Sequence, residues 1–386
     1  MRARRHGGDL EGTDSERRDF EVNHTRREVA WALAAGAVVA AAGRAARAAD
    51  GGEASRPGPS HRKMIVRADD IGHSVVCNIG SFEAIDHGVV TSADVMLDSP
   101  GTEDALQRLR ACPWISVGWH MHMWGAPVLG AARVPTLVEK GGEFDGRFRT
   151  DLGSATDISP DEARAELRAQ LKRCVEILGR VPDTGGSGDV TTVWGRVVRE
   201  VVDEAGIAYN FSGNRPAIAG YYQHIQAAKD AGEEWAKFYS ATQPPLTQAD
   251  PKWVDRKIYA AAETSAYADL LTDSITRVET DYDPVLFYTQ DRAGILKTPM
   301  DWITWQAWHP GYVDYYVYRL GERANRARAR QFVVGRTQDV AALCDARLKA
   351  WIRNNRIELV NQRDALYGTR EYQNHLAAIG SDLAIA

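Results

Sequence analysis

Short apolar segments that end in polar residues alternate with helical segments along this chain, and this alternation constrains its fold more than any other feature. The first apolar run, 64–68, ends at Asp69 and Asp70, and helical spacing follows from Ser74 to His87. The same alternation continues with strands predicted at 89–97, 115–123 and 207–211, and with helices predicted at 102–112, 159–178 and 189–205. Strands that alternate with helices form a parallel sheet with crossover helices, either open or closed into a barrel. The sequence therefore predicts an α/β fold.

The alternation is interrupted between Ser212 and Tyr282, where the composition indicates a largely helical insertion. Strand-like segments at 285–288 and 302–308, a helix at 338–354 and a last strand at 357–360 follow the insertion. A chain of this length fits one α/β domain with an elaborated segment better than two equal domains. We therefore predict a single domain over 63–386, with the insertion at about 212–282.

The amino-terminal segment has the pattern of an export signal. Arg26 and Arg27 precede an uncharged run at 29–43, and Ala46-Arg47-Ala48 has the small residues of a cleavage site. Adjacent arginines before a short apolar run are typical of a twin-arginine signal peptide. The run is shorter than the roughly 20 residues that a membrane-spanning helix needs. We predict a signal peptide over 1–48, a linker over 49–62, and an exported protein that is periplasmic or extracellular.

Composition excludes several other classes of protein. Of 386 residues, 47 are basic and 52 are acidic, which gives a net charge of −5. Because nucleic-acid binding requires clustered Lys and Arg, we predict no nucleic-acid partner. The cysteines contain no C-x-x-C pair, which argues against a zinc–thiolate site, and buried free thiols are favoured over disulfides. The cysteines are Cys77, Cys112, Cys174 and Cys344.

Candidate catalytic groups follow three of the predicted strands. Asp69 and Asp70 end the first strand, His120 and His122 lie late in the third, and His309 ends a late strand. Because the carboxyl ends of parallel strands share one edge, we expect these side chains to meet. Side chains alternate along a strand, so the two histidines of the third strand point to the same side. Two imidazoles and an aspartate are a ligand set for a zinc-type or magnesium-type site, and a hydrogen-bonded structural histidine pair is the alternative.

Adjacent aspartates cannot point the same way on an extended segment, so Asp69 and Asp70 are expected to divide two roles. One would bind the metal while the other accepts a proton from water, and an Asx turn before the next helix is the structural alternative. His309 precedes a Pro-Gly turn and is either a general acid or a core histidine. Aromatic residues around it predict either a sugar-binding groove or part of the core. They are Trp302, Trp305, Trp308, Tyr312, Tyr315, Tyr316 and Tyr318.

Five motifs resemble, in the same order, those of the YdjC-type carbohydrate deacetylases. They are RADDIG at 67–72, GVVTS at 88–92, VGWH at 117–120, VPTLV at 134–138 and HPGYVD at 309–314. The resemblance implies a distorted (β/α) barrel of mostly parallel strands that removes N-acetyl groups from amino sugars with a divalent metal, Mg or Zn. It also implies that Asp69 is the base, that Asp70 and His120 are metal ligands, and that His309 is the acid.

One motif of that family is absent from this chain. The family has an Asp-Ser-His-x-His pattern after its long helix, whereas residues 182–189 here read PDTGGSGD. Three alternatives are open: Asp189 replaces the missing histidine ligand, His122 replaces it, or no metal binds. We assign substrate contacts to Trp308, Tyr312 and Asp314, which flank the candidate acid.

The main hypothesis is an exported, metal-dependent hydrolase that removes N-acetyl groups from an amino sugar or polysaccharide. A glycoside hydrolase that uses paired carboxylates from Asp69, Asp70 and Asp189 is the second hypothesis. A non-catalytic carbohydrate-binding protein is the third. The predicted partner is a carbohydrate substrate, with no stable membrane span, and a homodimer is compatible with each hypothesis.

Overall fold

A computed structural model of the protein describes residues 61–121, 123–186, 190–209, 223, 226–233, 258–260, 283–291, 295–297, 300, 303–326 and 329–385. The predicted signal peptide, nearly all of the linker and most of the insertion lie outside these residues. His122 and Asp189, the two alternative metal ligands, lie outside them as well.

The described strands form one sheet in the order β5-β4-β3-β2-β1-β7-β6, with β8 paired to the start of β1. All pairings between these strands are parallel. This arrangement confirms the predicted α/β class, whereas closure into a barrel stays a prediction because β5 and β6 are not paired over the described residues. The strands are β1 Arg62–Ile71, β2 Ser92–Met96, β3 Ser116–His120, β4 Thr184–Gly185, β5 Ala208–Tyr209, β6 Ile258–Ala260, β7 Ile303–Trp308 and β8 Ile357–Leu359.

Helices connect and cover the strands, and several begin where the sequence predicts. The hydroxyl of Ser74 accepts a hydrogen bond from the Cys77 amide, and Ser159 caps a helix that has proline in its first turn. Such caps satisfy amide groups that a helix cannot satisfy internally. The helices are α1 Val75–Asp86, α2 Thr102–Arg110, α3 Pro160–Leu178, α4 Val193–Glu204, α5 Val285–Thr289, α6 Tyr315–Asn325, α7 Ala329–Cys344, α8 Ala346–Asn354, α9 Gln362–Tyr367 and α10 Glu371–Ala378.

Two predicted elements differ in the structure. Residues 285–288 form the short helix α5 instead of a strand, because a four-residue apolar run carries no period that distinguishes the two. The helix predicted at 338–354 is divided at Asp345 into α7 and α8. The Asp345 carboxylate accepts a hydrogen bond from the Arg347 amide at 2.7 Å, so it caps a new helix where a continuous one was expected.

The core surrounds the central strands, since β2 is buried at every residue and β1 at most of them. Parallel sheets have this character because helices cover both faces. All four cysteines are free, as the sequence analysis favoured. No helix of the described residues is long and apolar enough to cross a membrane.

Candidate active site

The carboxyl ends of β1, β3 and β7 bring the predicted catalytic residues together. Ala68 of β1 pairs with Trp308 of β7, so Asp69 and His309 follow on adjacent strands. On the other side of β1, strand β2 pairs its last residue, Met96, with His120 of β3. Parallel register therefore brings groups that are far apart in sequence to one edge of the sheet.

Asp70 lies at the centre of this group. Its Oδ1 atom is 3.0 Å from Nε2 of His120, and its Oδ2 atom is 3.9 Å from Nε2 of His309. Asp70 has a left-handed backbone with φ of 60°, next to an irregularity in the pairing of β1 with β2. Aspartate tolerates this conformation better than most residues. The change of backbone direction accounts for why two successive aspartates take separate positions.

Charged groups hold Asp70 in its ionised form. The Nη2 atom of Arg336 donates to its Oδ2 at 2.5 Å, and both side chains are buried. Burial alone would raise the pKa of Asp70, but His73, Arg336 and His120 outweigh burial and hold that pKa well below the usual value. The carboxylate is therefore held as an anion that accepts hydrogen bonds.

The pKa values of the two histidines of the site are shifted in opposite directions. Burial acts to lower the pKa of His120, but the 3.0 Å contact of its Nε2 with Asp70 and the charges of Asp69, Asp70 and Asp94 raise it to about 9. Burial lowers the pKa of His309 to about 4. The His309 amide donates to Oδ2 of Asp339 at 2.9 Å, which fixes the start of the Pro-Gly turn. The side chains of His120 and His309 remain 22% and 16% exposed, so the site opens to solvent.

Asp69 faces a different partner. The guanidinium of Arg67 donates to both of its oxygens, at 2.5 and 2.6 Å. Residues that are two apart on a strand point to the same face of the sheet, so Arg67 and Asp69 lie side by side. Arg67 also lies 3.1 Å from Asp94 and over the ring of Trp305 at 4.4 Å. A bidentate pair of this kind fixes the orientation of the carboxylate.

The three predicted substrate residues differ in their burial and in their contacts. Trp308 is completely buried, and its indole donates to the Tyr288 hydroxyl at 2.8 Å, so it belongs to the core and cannot contact a sugar. The Asp314 carboxylate accepts from the Val317 amide and caps α6. Tyr312 is half-buried and lies three residues after His309, and its contact with a substrate stays a prediction. The assignment of Trp308 is corrected on this basis.

Comparison with known proteins places this site in a family. The sequence profile of the YdjC-like protein family matches residues 63–354. The chain belongs to the YdjC-like family. This membership confirms the resemblance carried by the motifs around Asp69, His120 and His309.

Several YdjC-like relatives have printed activities. The chain is 37% identical over 119 residues to a chitooligosaccharide deacetylase of Serratia marcescens, covering 31% of this chain and 46% of the relative. It is 42% identical over 114 residues to a carbohydrate deacetylase of Brevibacillus brevis, covering 29% and 44%. A carbohydrate deacetylase of Geobacillus stearothermophilus is 39% identical over 113 residues, covering 29% and 43%. The chain thus spans less than half the length of these curated relatives.

Sequence reasoning missed four charged or titratable residues of this YdjC-like site. Arg67 could have been found, because its spacing from Asp69 on one strand predicts a shared face. Asp94 lies in the middle of β2, and its Oδ2 is 4.0 Å from Nδ1 of His120. His73 is fully buried and acts on the charge of Asp70. Arg336 follows Asp70 by 266 residues, and no local pattern connects them.

The described residues fit part of a metal site. Oδ1 of Asp70 is buried and makes no directional hydrogen bond, although Nε2 of His120 lies 3.0 Å away. Two ligand atoms at right angles, each about 2.1 Å from an ion, are about 3.0 Å apart. Over the described part of the chain, no group of three or more His, Cys, Asp or Glu side chains could hold a metal ion. The residues present therefore fit two positions of a coordination sphere.

Proposed function

We propose that the protein removes N-acetyl groups from an amino sugar or polysaccharide, with a divalent metal. The observation that carries this proposal is the contact of Asp70 with His120, beside Asp69 and His309 on one edge of the sheet. A family whose matched relatives are named carbohydrate and chitooligosaccharide deacetylases supports the same chemistry.

The proposed roles follow from the partners of each side chain. Asp70 and His120 would hold the ion, which when bound polarises the acetyl carbonyl and lowers the pKa of water. Asp69 would accept the proton of the attacking water. Arg67 uses two of the lone pairs of that carboxylate and leaves others for the proton. Arg67 would therefore orient the base without blocking it.

His309 would transfer a proton to the leaving amine. Its pKa of about 4 makes the imidazole neutral near pH 7, so it would first receive from Asp69 the proton of the attacking water and would then donate that proton to the amine. The hydrogen bond from its amide to Asp339 supports this role, because a fixed turn keeps the ring beside Asp70. Tyr312, on the same turn, would contact the sugar.

The glycoside hydrolase hypothesis is disfavoured by charge. A glycosidase needs one protonated carboxyl group with a raised pKa beside an ionised one. Arg336 and the histidines instead lower the pKa of Asp70. Asp70 therefore does not supply the protonated carboxyl group that this hypothesis requires.

The experiment is a measurement of acetate release from N-acetylated oligosaccharides, with chelated protein and with added divalent ions. We expect release that depends on the metal and that is lost in Asp70→Asn and His120→Ala. Asp161→Asn removes an exposed carboxylate on α3 and is the matched control, for which we expect wild-type activity. Absence of acetate with every ion would contradict the proposal. New reducing ends in the presence of chelator would support a glycosidase, and glycan binding without turnover would support a binding protein.

We also propose that residues 1–48 direct export, on the pattern of Arg26, Arg27 and the apolar run at 29–43. Changing both arginines to lysine removes the feature on which twin-arginine transport depends. We expect the precursor to accumulate uncleaved in the cytoplasmic fraction of the expressing cell. Normal processing of this variant would contradict the proposal.

A further inference from the structure

Arg336 is a fully buried cation in contact with the central carboxylate of the site. Its Nη2 atom lies 2.5 Å from Oδ2 of Asp70, and its guanidinium lies over the ring of Phe332 at 4.6 Å. It is 0% exposed. Both charges of a buried ion pair lose their hydration, and this loss offsets much of the stability that the pair contributes. Stability alone therefore does not explain why this ion pair lies beside the candidate catalytic groups.

The helix that carries Arg336 also holds the other half of the site. One turn of α7 presents the carbonyl of Arg336 to the Gly311 amide at 3.2 Å and the carboxylate of Asp339 to the His309 amide at 2.9 Å. Positions three apart on a helix lie on the same face. A single rigid element thus sets the position of Asp70 relative to the turn that carries His309.

We propose that Arg336 is a positioning residue that restricts Asp70 to one open oxygen. Arg336 binds Oδ2, and Oδ1 is left beside Nε2 of His120 without a directional hydrogen bond. Carboxylates can bind an ion through one oxygen or through both. The arginine therefore makes Asp70 a one-oxygen ligand. This inference rests on the proposed function, because it takes Asp70 and His120 as metal ligands.

Two consequences follow from removal of the guanidinium. Its positive charge repels a cation bound a few ångströms away, and this repulsion is strong where water is excluded. Its loss also frees Oδ2 to bind the ion as a second oxygen. Arg336→Met should therefore bind a divalent ion more tightly, which is the opposite of what loss of a merely structural contact would give.

The test is a titration of metal-free full-length protein with Co²⁺, read by competition with a chromophoric chelator and by the visible absorption of the bound ion. Arg363→Met is the matched control, since Arg363 is also 0% exposed and donates to a buried carboxylate, that of Asp183, at 2.6 Å. Thermal unfolding without metal measures the structural effect of each substitution. Arg336→Gln loses the charge but keeps an N–H donor, and it serves if the Met variant does not fold.

We expect Arg336→Met to bind Co²⁺ at least about tenfold more tightly than the wild type, with a changed absorption spectrum. Arg336→Gln should bind more tightly with little spectral change, and Arg363→Met should lose thermal stability while its Co²⁺ affinity stays the same. Unchanged or weaker Co²⁺ binding by both Arg336 variants would overturn the positioning role and leave the proposed function intact. Failure of the wild type to bind Co²⁺ would overturn both.

Discussion

The sheet has two buried carboxylate–arginine clusters, one near the amino ends of its strands and one near the carboxyl ends. The clusters differ in how many of the carboxylate oxygens are hydrogen-bonded. Asp183 lies near the amino end of β3, and both of its oxygens are hydrogen-bonded. Asp70 lies at the carboxyl end of β1, where Oδ2 is paired with Arg336 and Oδ1 has no directional hydrogen bond. The partners of Asp183 are Arg180 at 2.9 Å, Arg363 at 2.6 Å, the Val117 amide at 2.8 Å and the Ser116 hydroxyl at 3.2 Å.

This difference separates a structural carboxylate from a reactive one. Buried polar atoms in proteins are nearly always hydrogen-bonded, so a buried oxygen without a directional bond beside other titratable groups is a candidate ligand atom. Both oxygens of Asp183 have hydrogen-bond partners within the protein, so this carboxylate has a structural role between strands. Asp70 is also a buried anion, but it retains an acceptor at a site that is open to solvent through His120 and His309.

The largest effect is expected from Asp183→Asn. This substitution leaves Arg180 and Arg363 buried without their counter-charge, and we expect the free energy of unfolding to fall by about 3–5 kcal/mol. Urea denaturation measures the change. Asp70→Asn should lose less stability, because one buried arginine, Arg336, loses its counter-charge instead of two. Equal losses in the two variants would contradict the distinction between the clusters.

An intermediate effect is expected in the candidate active site, at the carboxyl ends of the strands. His309→Gln removes the proposed proton carrier, and acetate release should fall by about a hundredfold or more. The midpoint of thermal unfolding should shift by no more than about 2 °C. His375→Gln is the comparison at the other end of the sheet, where the ring stacks on Trp114 at 4.0 Å. It should keep full activity, and equal loss of activity in both variants would contradict the assignment.

The smallest effect is expected when stability is measured at acidic pH. Arg180 and Arg363 outweigh burial and lower the pKa of Asp183 in the folded protein. A group with a lowered folded pKa contributes stability above its unfolded value, near pH 4, and this contribution is lost as the pH falls through the folded pKa. We expect the wild type to lose stability below pH 4 more steeply than Asp183→Asn, by at most about 1.4 kcal/mol per pH unit. Urea midpoints between pH 7 and pH 3 measure this, and parallel curves would contradict it.

Much of the reactive cluster could be predicted because it follows strand ends. Each of these strands can be recognised from its own short segment of sequence, and the residues at their ends are Asp69, Asp70, His120 and His309. The parallel register of the strands then brings these residues together. Arg336 could not be predicted, since a cation in the middle of a helix has the same sequence pattern whether it is exposed or buried.

The fold shows the same division between local and long-range information. Helix α3 has its cap, its proline and its acidic first turn in sequence, and its bounds were predicted closely. Helix α5 is too short for a period, and its identity depends on packing: the Tyr288 hydroxyl donates to Gln306 of β7 at 2.9 Å. Trp308 was assigned to the substrate for a related reason, because an aromatic residue beside a catalytic turn does not reveal which side of the strand it occupies.

The four free thiols bear on the conditions under which this protein can fold. None of Cys77, Cys112, Cys174 and Cys344 is joined to another, and three of them are buried. The fold therefore needs no oxidation step and can be completed in a reducing compartment. Purification in the presence of a reductant should therefore leave its structure unchanged.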